Sequence, residues 1–197
     1  LWQIEKLNDH YYCRQVHELP AKDPINTARK AAQNLADWLK SIEYKDKLFI
    51  YGDPSTKSSN NIDDDKKSFF DLFTGTLRNN GFEIQDRMSR SNKPVSSMGD
   101  FVNAIFENRI KNISIQINES CKTSINDYIE TKQDKDGGIL KKRETDPQTK
   151  TSFEKHGHFT DNLKDFICQC FESEFIQFQS NKIGHQAYII ERPKRIR

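Results

Sequence analysis

Leu48-Phe49-Ile50-Tyr51-Gly52-Asp53-Pro54-Ser55 is the stretch on which the fold turns. Its four leading apolar residues are too few for a helix and predict a short strand covered on both faces. Pro54 ends the strand, because proline has no N–H to give to a ladder. Asp53 then stands at the C-terminal edge of a sheet, where open α/β sheets place their ligands. A turn-forming aspartate ahead of a proline is the competing reading of the same residue. Residues 52–58 (GDPSTKS) do not make a phosphate-binding loop, since the second glycine before the lysine is missing.

Upstream, Leu1–Leu7 and Tyr11–Leu19 predict a β-hairpin turning at Asn8-Asp9-His10. Ala28, Ala31, Ala32, Leu35, Trp38, Leu39 and Ile42 keep helical spacing, with Asn26 or Thr27 as N-cap. Downstream, a polar loop over 55–67 leads to a helix over 68–80 that Gly81 stops, and then to a strand at 82–84. Met98, Phe101, Val102, Ile105 and Phe106 predict a third helix, and Ile113–Ile117 alternates as an edge strand does. Cys121, Ile125, Tyr128 and Ile129 predict a fourth helix, and Asp136-Gly137-Gly138 a hairpin turn followed by a charged loop to Lys155. Phe159, Leu163, Phe166, Ile167, Cys170 and Phe171 predict a last helix. The order gives an α/β domain with a central mixed sheet flanked by helices, over residues 1–180. Residues 181–197 form a basic tail ending in Arg192, Lys194, Arg195 and Arg197.

The 197 residues suffice for one domain with its own core. A net charge of +2 requires any nucleic-acid surface to be local. Cys13, Cys121, Cys168 and Cys170 form no CxxC pair, which argues against zinc and a disulfide framework and for reduced thiols. No apolar run reaches the ~20 residues of a membrane span. No GxSxG turn is present, and Cys13 and His17 would share one strand, so a serine or cysteine hydrolase is not expected.

Two further stretches carry chemistry. In 156-HGHFTD-161 a helix starting near Gly157 puts His158, Asp161 and Asp165 on one face, away from the apolar stripe. Asp161 falls in the first turn, where the helix dipole favours a carboxylate, so plain helix capping explains it equally well. Lys141, Lys142 and Arg143 follow the Gly137-Gly138 turn, and Arg87 and Arg90 sit in another loop. Such loops reach phosphates, although Asp134, Asp136 and Glu144 dilute the first into an ordinary solvated face.

In order and spacing, the opening hairpin and helix, LFIYGDPS, SNKPVSSMGDFVNAIF with the following strand and C-x3-I-x-D-Y, and HGHFTD starting a helix resemble one known domain. It is the C-terminal nuclease domain of the large terminase subunit of tailed bacteriophages, and the resemblance runs from about Leu1 to Phe171. It implies an RNase H-like fold in which three acids hold two Mg²⁺ or Mn²⁺ ions against a scissile phosphate of double-stranded DNA. By position, Asp53 and Asp161 would be metal ligands. His158 and Asp165 would support them or touch substrate, and Lys141, Lys142, Arg143, Arg87 and Arg90 would meet DNA. The resemblance further implies cutting of concatemeric viral DNA during packaging, in the host cell cytoplasm. An ATPase domain of the same polypeptide, a portal protein and a small terminase subunit would be its partners. The first acid of the pattern lies on a strand just ahead of the hairpin. No residue of 1–20 matches it, Asp9 falling in the turn, so that strand is expected upstream of Leu1. The alternatives are a catalytically silent DNA-binding or motor-docking module, and an RNase H-like nuclease of repair or transposition.

Overall fold

The computed structural model describes residues 1–20, 27–58, 67–135, 138–140, 143–145, 147, 150, 152–154 and 156–188. Asn8 and Asp9 take positive φ (47° and 63°), the backbone of a two-residue hairpin turn that these residue types tolerate. They join β1 (Trp2–Leu7) to β2 (His10–Gln15) antiparallel, with Leu7 opposite His10. β2 then pairs in parallel with β5 (Ile113–Ile117), giving the mixed order β1-β2-β5.

The second strand ends at Gln15, short of the expected Leu19, because the chain beyond it serves another element. Glu18 accepts the backbone N–H groups of Thr123 (2.9 Å) and Ser124 (2.7 Å) and so caps α4 (Lys122–Glu130) from outside. Burial pushes the Glu18 carboxyl up, but the donors of Ser124 and Thr123 outweigh it and hold it below the usual range. A depressed folded-state value contributes stability above the unfolded carboxylate range and loses it as pH falls through the folded value. Urea midpoints should therefore fall in acid, and Glu18→Gln should flatten part of that fall. An equally steep fall in the variant would remove Glu18 from the account.

Thr27 caps α1 (Ala28–Ser41), and a Ser68–Asp71 capping box opens α2 (Phe69–Asn79). Between them runs β3 (Leu48–Ile50), whose end passes into a 3₁₀ turn at Pro54–Lys57. β4 (Ile84–Asp86) lies parallel to β3, starting two residues later than the expected 82–84. α3 (Val95–Phe106) follows, and α5 (His158–Cys170) leads into α6 (Glu172–Tyr188). The protein is thus mixed α/β.

Two apolar clusters hold it together. One joins α3, β5, α5 and α6 through Phe101, Ile113, Ile167 and Phe175; the other joins α1, α2 and β3 through Leu35, Leu39, Leu48 and Leu77. The loop expected up to Lys155 instead contains a hairpin of β6 (Arg143–Thr145) and β7 (Ser152–Glu154). The Gly137-Gly138 hairpin is represented by an antiparallel bridge between Gln133 and Ile139, with Asp136 and Gly137 outside the described residues. α6 was not anticipated, and it carries the chain into 181–188, where a tail was expected. Residues 189–197, with Arg192, Lys194, Arg195 and Arg197, lie outside the described residues. No helix among the described residues is long and apolar enough to cross a membrane.

One expectation about β3 is corrected. The strand is not covered on both faces: Leu48 is buried, but Phe49 is 48% exposed. Among the described residues β3 also has only one strand neighbour, β4. Leu48 and Ile50 bond to β4 through Leu48 N–H to Glu83 C=O and Arg87 N–H to Ile50 C=O, which turns the peptide groups of Phe49 the other way. β1 has the same character. Val16 N–H bonds Leu1 C=O, so by alternation the peptide groups of Trp2, Ile4 and Lys6 face away from β2. A cavity of about 710 Å³ touches both edges: Trp2 and Ile4 line it from β1, Leu48 and Phe49 from β3, and Trp38 and Phe166 help wall it from α1 and α5.

Candidate active site

The C-terminal end of β3 and the first half of α5 bring three carboxylates into one electrostatic neighbourhood. Gly52, at φ +151°, turns the chain out of the strand in a conformation that suits glycine. Its N–H is accepted by the Gln169 side chain (3.2 Å), and its C=O accepts the Gln169 amide (2.8 Å). That double contact ties the strand end to α5. Asp53 follows immediately, accepts Ser55 N–H at 2.7 Å, and caps the 3₁₀ turn. Burial raises its carboxyl, but bonds from Ser55 and the Asn92 side chain overcome this and hold it below the usual range, ionised.

Asp165 stands opposite. Burial, then the negative charges of Asp53 and Asp161, raise its carboxyl to about 6, while Lys164 pulls it down. Asp165 therefore feels the charge of both expected ligands, Asp53 and Asp161. Asp161, one turn earlier, is ion-paired with Lys164 at 3.0 Å; the lysine side chain is 4% exposed. Apolar neighbours hold the helix in place, with Phe166 stacked on Trp2 (5.0 Å) and edge-on to Tyr51 (5.4 Å). His158 is exposed at the first turn of α5.

The start of α5 is fixed by a residue whose role the sequence did not disclose. Asp127 of α4 is 4% exposed. It accepts Gly157 N–H (2.6 Å), Thr160 N–H (2.8 Å) and the Thr160 hydroxyl (2.9 Å). A carboxylate at a helix N-terminus satisfies orphan N–H groups and complements the dipole. The expected cap was Asp161, whose own N–H bonds Gly157 C=O within the helix. The signal available was the aspartate of C-x3-I-x-D-Y.

The basic residues divide. Arg87 lies over the Phe49 ring (5.5 Å to the centroid), and Arg90 is exposed in the loop that also supplies Asn92. Arg143 stands on β6 beside Glu154 (4.0 Å) and is 74% exposed. Lys141 and Lys142 lie outside the described residues.

Carboxylates supply hard oxygen donors of the kind that hold divalent cations. Among the described residues, no group of three or more His, Cys, Asp or Glu is placed to hold a metal ion. The cysteines are free; Cys13, Cys121 and Cys168 are buried, and burial lifts the Cys13 thiol to about 12, far from a working nucleophile. Compared with known proteins, the chain matches no family model, no curated protein and no solved structure.

Proposed function

We propose that the protein is a metal-dependent endonuclease of RNase H-like fold, acting on double-stranded DNA as the nuclease half of a viral packaging motor. The observation that supports the reading is the raised carboxyl of the half-buried Asp165, which feels the charges of Asp53 at the end of β3 and of Asp161 on its own helix. That electrostatic coupling favours Asp53 and Asp165 as ligands, with Asp161, ion-paired to Lys164, as the third acid. Mg²⁺ or Mn²⁺ held there would supply the activated water and stabilise the leaving oxygen. Asp53 is kept ionised by Ser55 and Asn92, and Gln169 fixes the strand end that carries it. No side-chain nucleophile is required.

The facing open edges of β1 and β3 support the same reading. A strand laid between them would pair with Trp2, Ile4 and Lys6 on one side and Phe49 on the other, merging two small sheets into one. The resemblance implies a first strand, with the first acid, just ahead of the hairpin. The ATPase domain, portal and small subunit remain partners by resemblance alone.

The test is nicking of supercoiled plasmid in Mn²⁺ and Mg²⁺ by this chain extended upstream by one strand, beside an RNA–DNA hybrid. Metal-dependent nicking of the plasmid is expected. Cutting of the hybrid alone would favour a repair-type enzyme, and DNA binding without cutting would favour a silent module.

A further inference from the structure

A second cavity, polar and of about 430 Å³, lies between the loop after β4 and the junction of α5 with α6. It is lined by Arg87, Ser89, Arg90, Lys93, Gln169 and Glu172, among others. The loop that supplies its cations also supplies Asn92, which bonds Asp53. Gln169 belongs to both places, since it lines the cavity and clamps Gly52. On α5, Gln169 follows Asp165 by one turn, about 5–6 Å along the same face. Lys93 is offset by Glu172 (2.6 Å), and Arg87 is laid against Phe49. Arg90 has its guanidinium exposed with no partner among the described residues. With three cations and one acid, the cavity is positive directly beside a negative centre.

We infer that this cavity is a subsite for one backbone phosphate of the nucleic acid, next along the strand from the phosphate held at the acid cluster. An ion held at the acids would attract one phosphate, and Arg90, with Lys93 and Arg87, takes its neighbour and sets the register of the strand. Ser91 adds a hydroxyl suited to phosphate oxygens, while the Ser89 hydroxyl donates to the Ser91 carbonyl at 3.1 Å and holds the loop. The inference rests on the nuclease reading, but its test does not require cutting.

A fluorescein-labelled 20-base-pair duplex is titrated with the chain in Ca²⁺ across a range of KCl. Arg90→Ala is compared with Lys45→Ala, an exposed cation at the other end of β3 that removes the same charge. Loss of one phosphate contact should lower affinity about five- to tenfold near 0.1 M salt and reduce the salt slope by roughly one. Lys45→Ala should do neither. In an active preparation, Arg90→Ala should raise KM and leave kcat near the parent value. If binding weakens as expected in a protein that never cuts, the subsite stands and the nuclease reading falls. If Arg90→Ala binds like Lys45→Ala, or the parent does not bind the duplex, the subsite is overturned.

Discussion

Asp165→Asn is expected to abolish cutting while making the metal-free protein harder to unfold. The carboxyl of Asp165 is raised from 3.8 to about 6 by burial and by Asp53 and Asp161. A raised folded value means that the folded state prefers the protonated form. The resulting cost is absent below about pH 4, grows between the unfolded and folded values, and is fully present at pH 7. Two units correspond to at most about 3 kcal/mol, so a gain of roughly 1–3 kcal/mol in the amide is expected. Nicking should fall by a factor of about 1,000 or more, as when charge stabilisation is removed from a transition state. Mn²⁺ should then reverse the stability order, because an ion that binds only the folded parent stabilises it by mass action. Urea unfolding with EDTA and with Mn²⁺ reads both effects. An amide variant less stable than the parent in EDTA would show Asp165 to be a structural group.

Asp127→Ala carries the second large effect, on folding. Its carboxylate holds three donors at the start of α5 while itself 4% exposed. Removing it strands those donors, and bonds to a charged acceptor are worth about 1.5–3 kcal/mol each. A loss of about 3–5 kcal/mol is expected against a total of roughly 5–15 kcal/mol. Asp127→Asn keeps one acceptor oxygen and should lose about half as much. Because α5 carries Asp161 and Asp165, the Asn variant should also cut more slowly although it is folded. Urea midpoints and nicking rates measured together decide this. A variant with parent stability would transfer the capping role to Asp161, as the sequence suggested.

Periodicity disclosed the helices because each buries one face: the stripe of Leu35, Leu39 and Ala32 appears in the core where the spacing put it. The hairpin turn was legible because Asn8 and Asp9 tolerate positive φ. β3 was legible as a strand but not in its burial, since an apolar run does not say whether its neighbouring strand is present. α6 escaped because Phe175 and Phe178 are separated from the preceding stripe at Phe171, where the backbone leaves the helix. The β6–β7 hairpin escaped because its strands are three residues each and exposed, leaving no alternation to read.

At the site, Asp53 and the carboxylates of α5 were legible from their positions at element ends. Their ranking was not. Asp161 and Asp165 share one face of the helix, and only the ion pair of buried Lys164 with Asp161 and the burial that raises the Asp165 carboxyl distinguish them. Asp127 and Glu18 cap helices across 30 residues or more of sequence, a relation that no local pattern encodes.

The most direct measurement is the electron paramagnetic resonance signal of free Mn²⁺ during titration with the upstream-extended chain, beside Asp53→Asn and Asp165→Asn. Mn²⁺ bound by the extended parent should lose its free-ion signal, and each amide should weaken that binding tenfold or more. A parent that leaves the free-ion signal intact, or binding that both amides leave unchanged, would contradict a metal centre at these carboxylates.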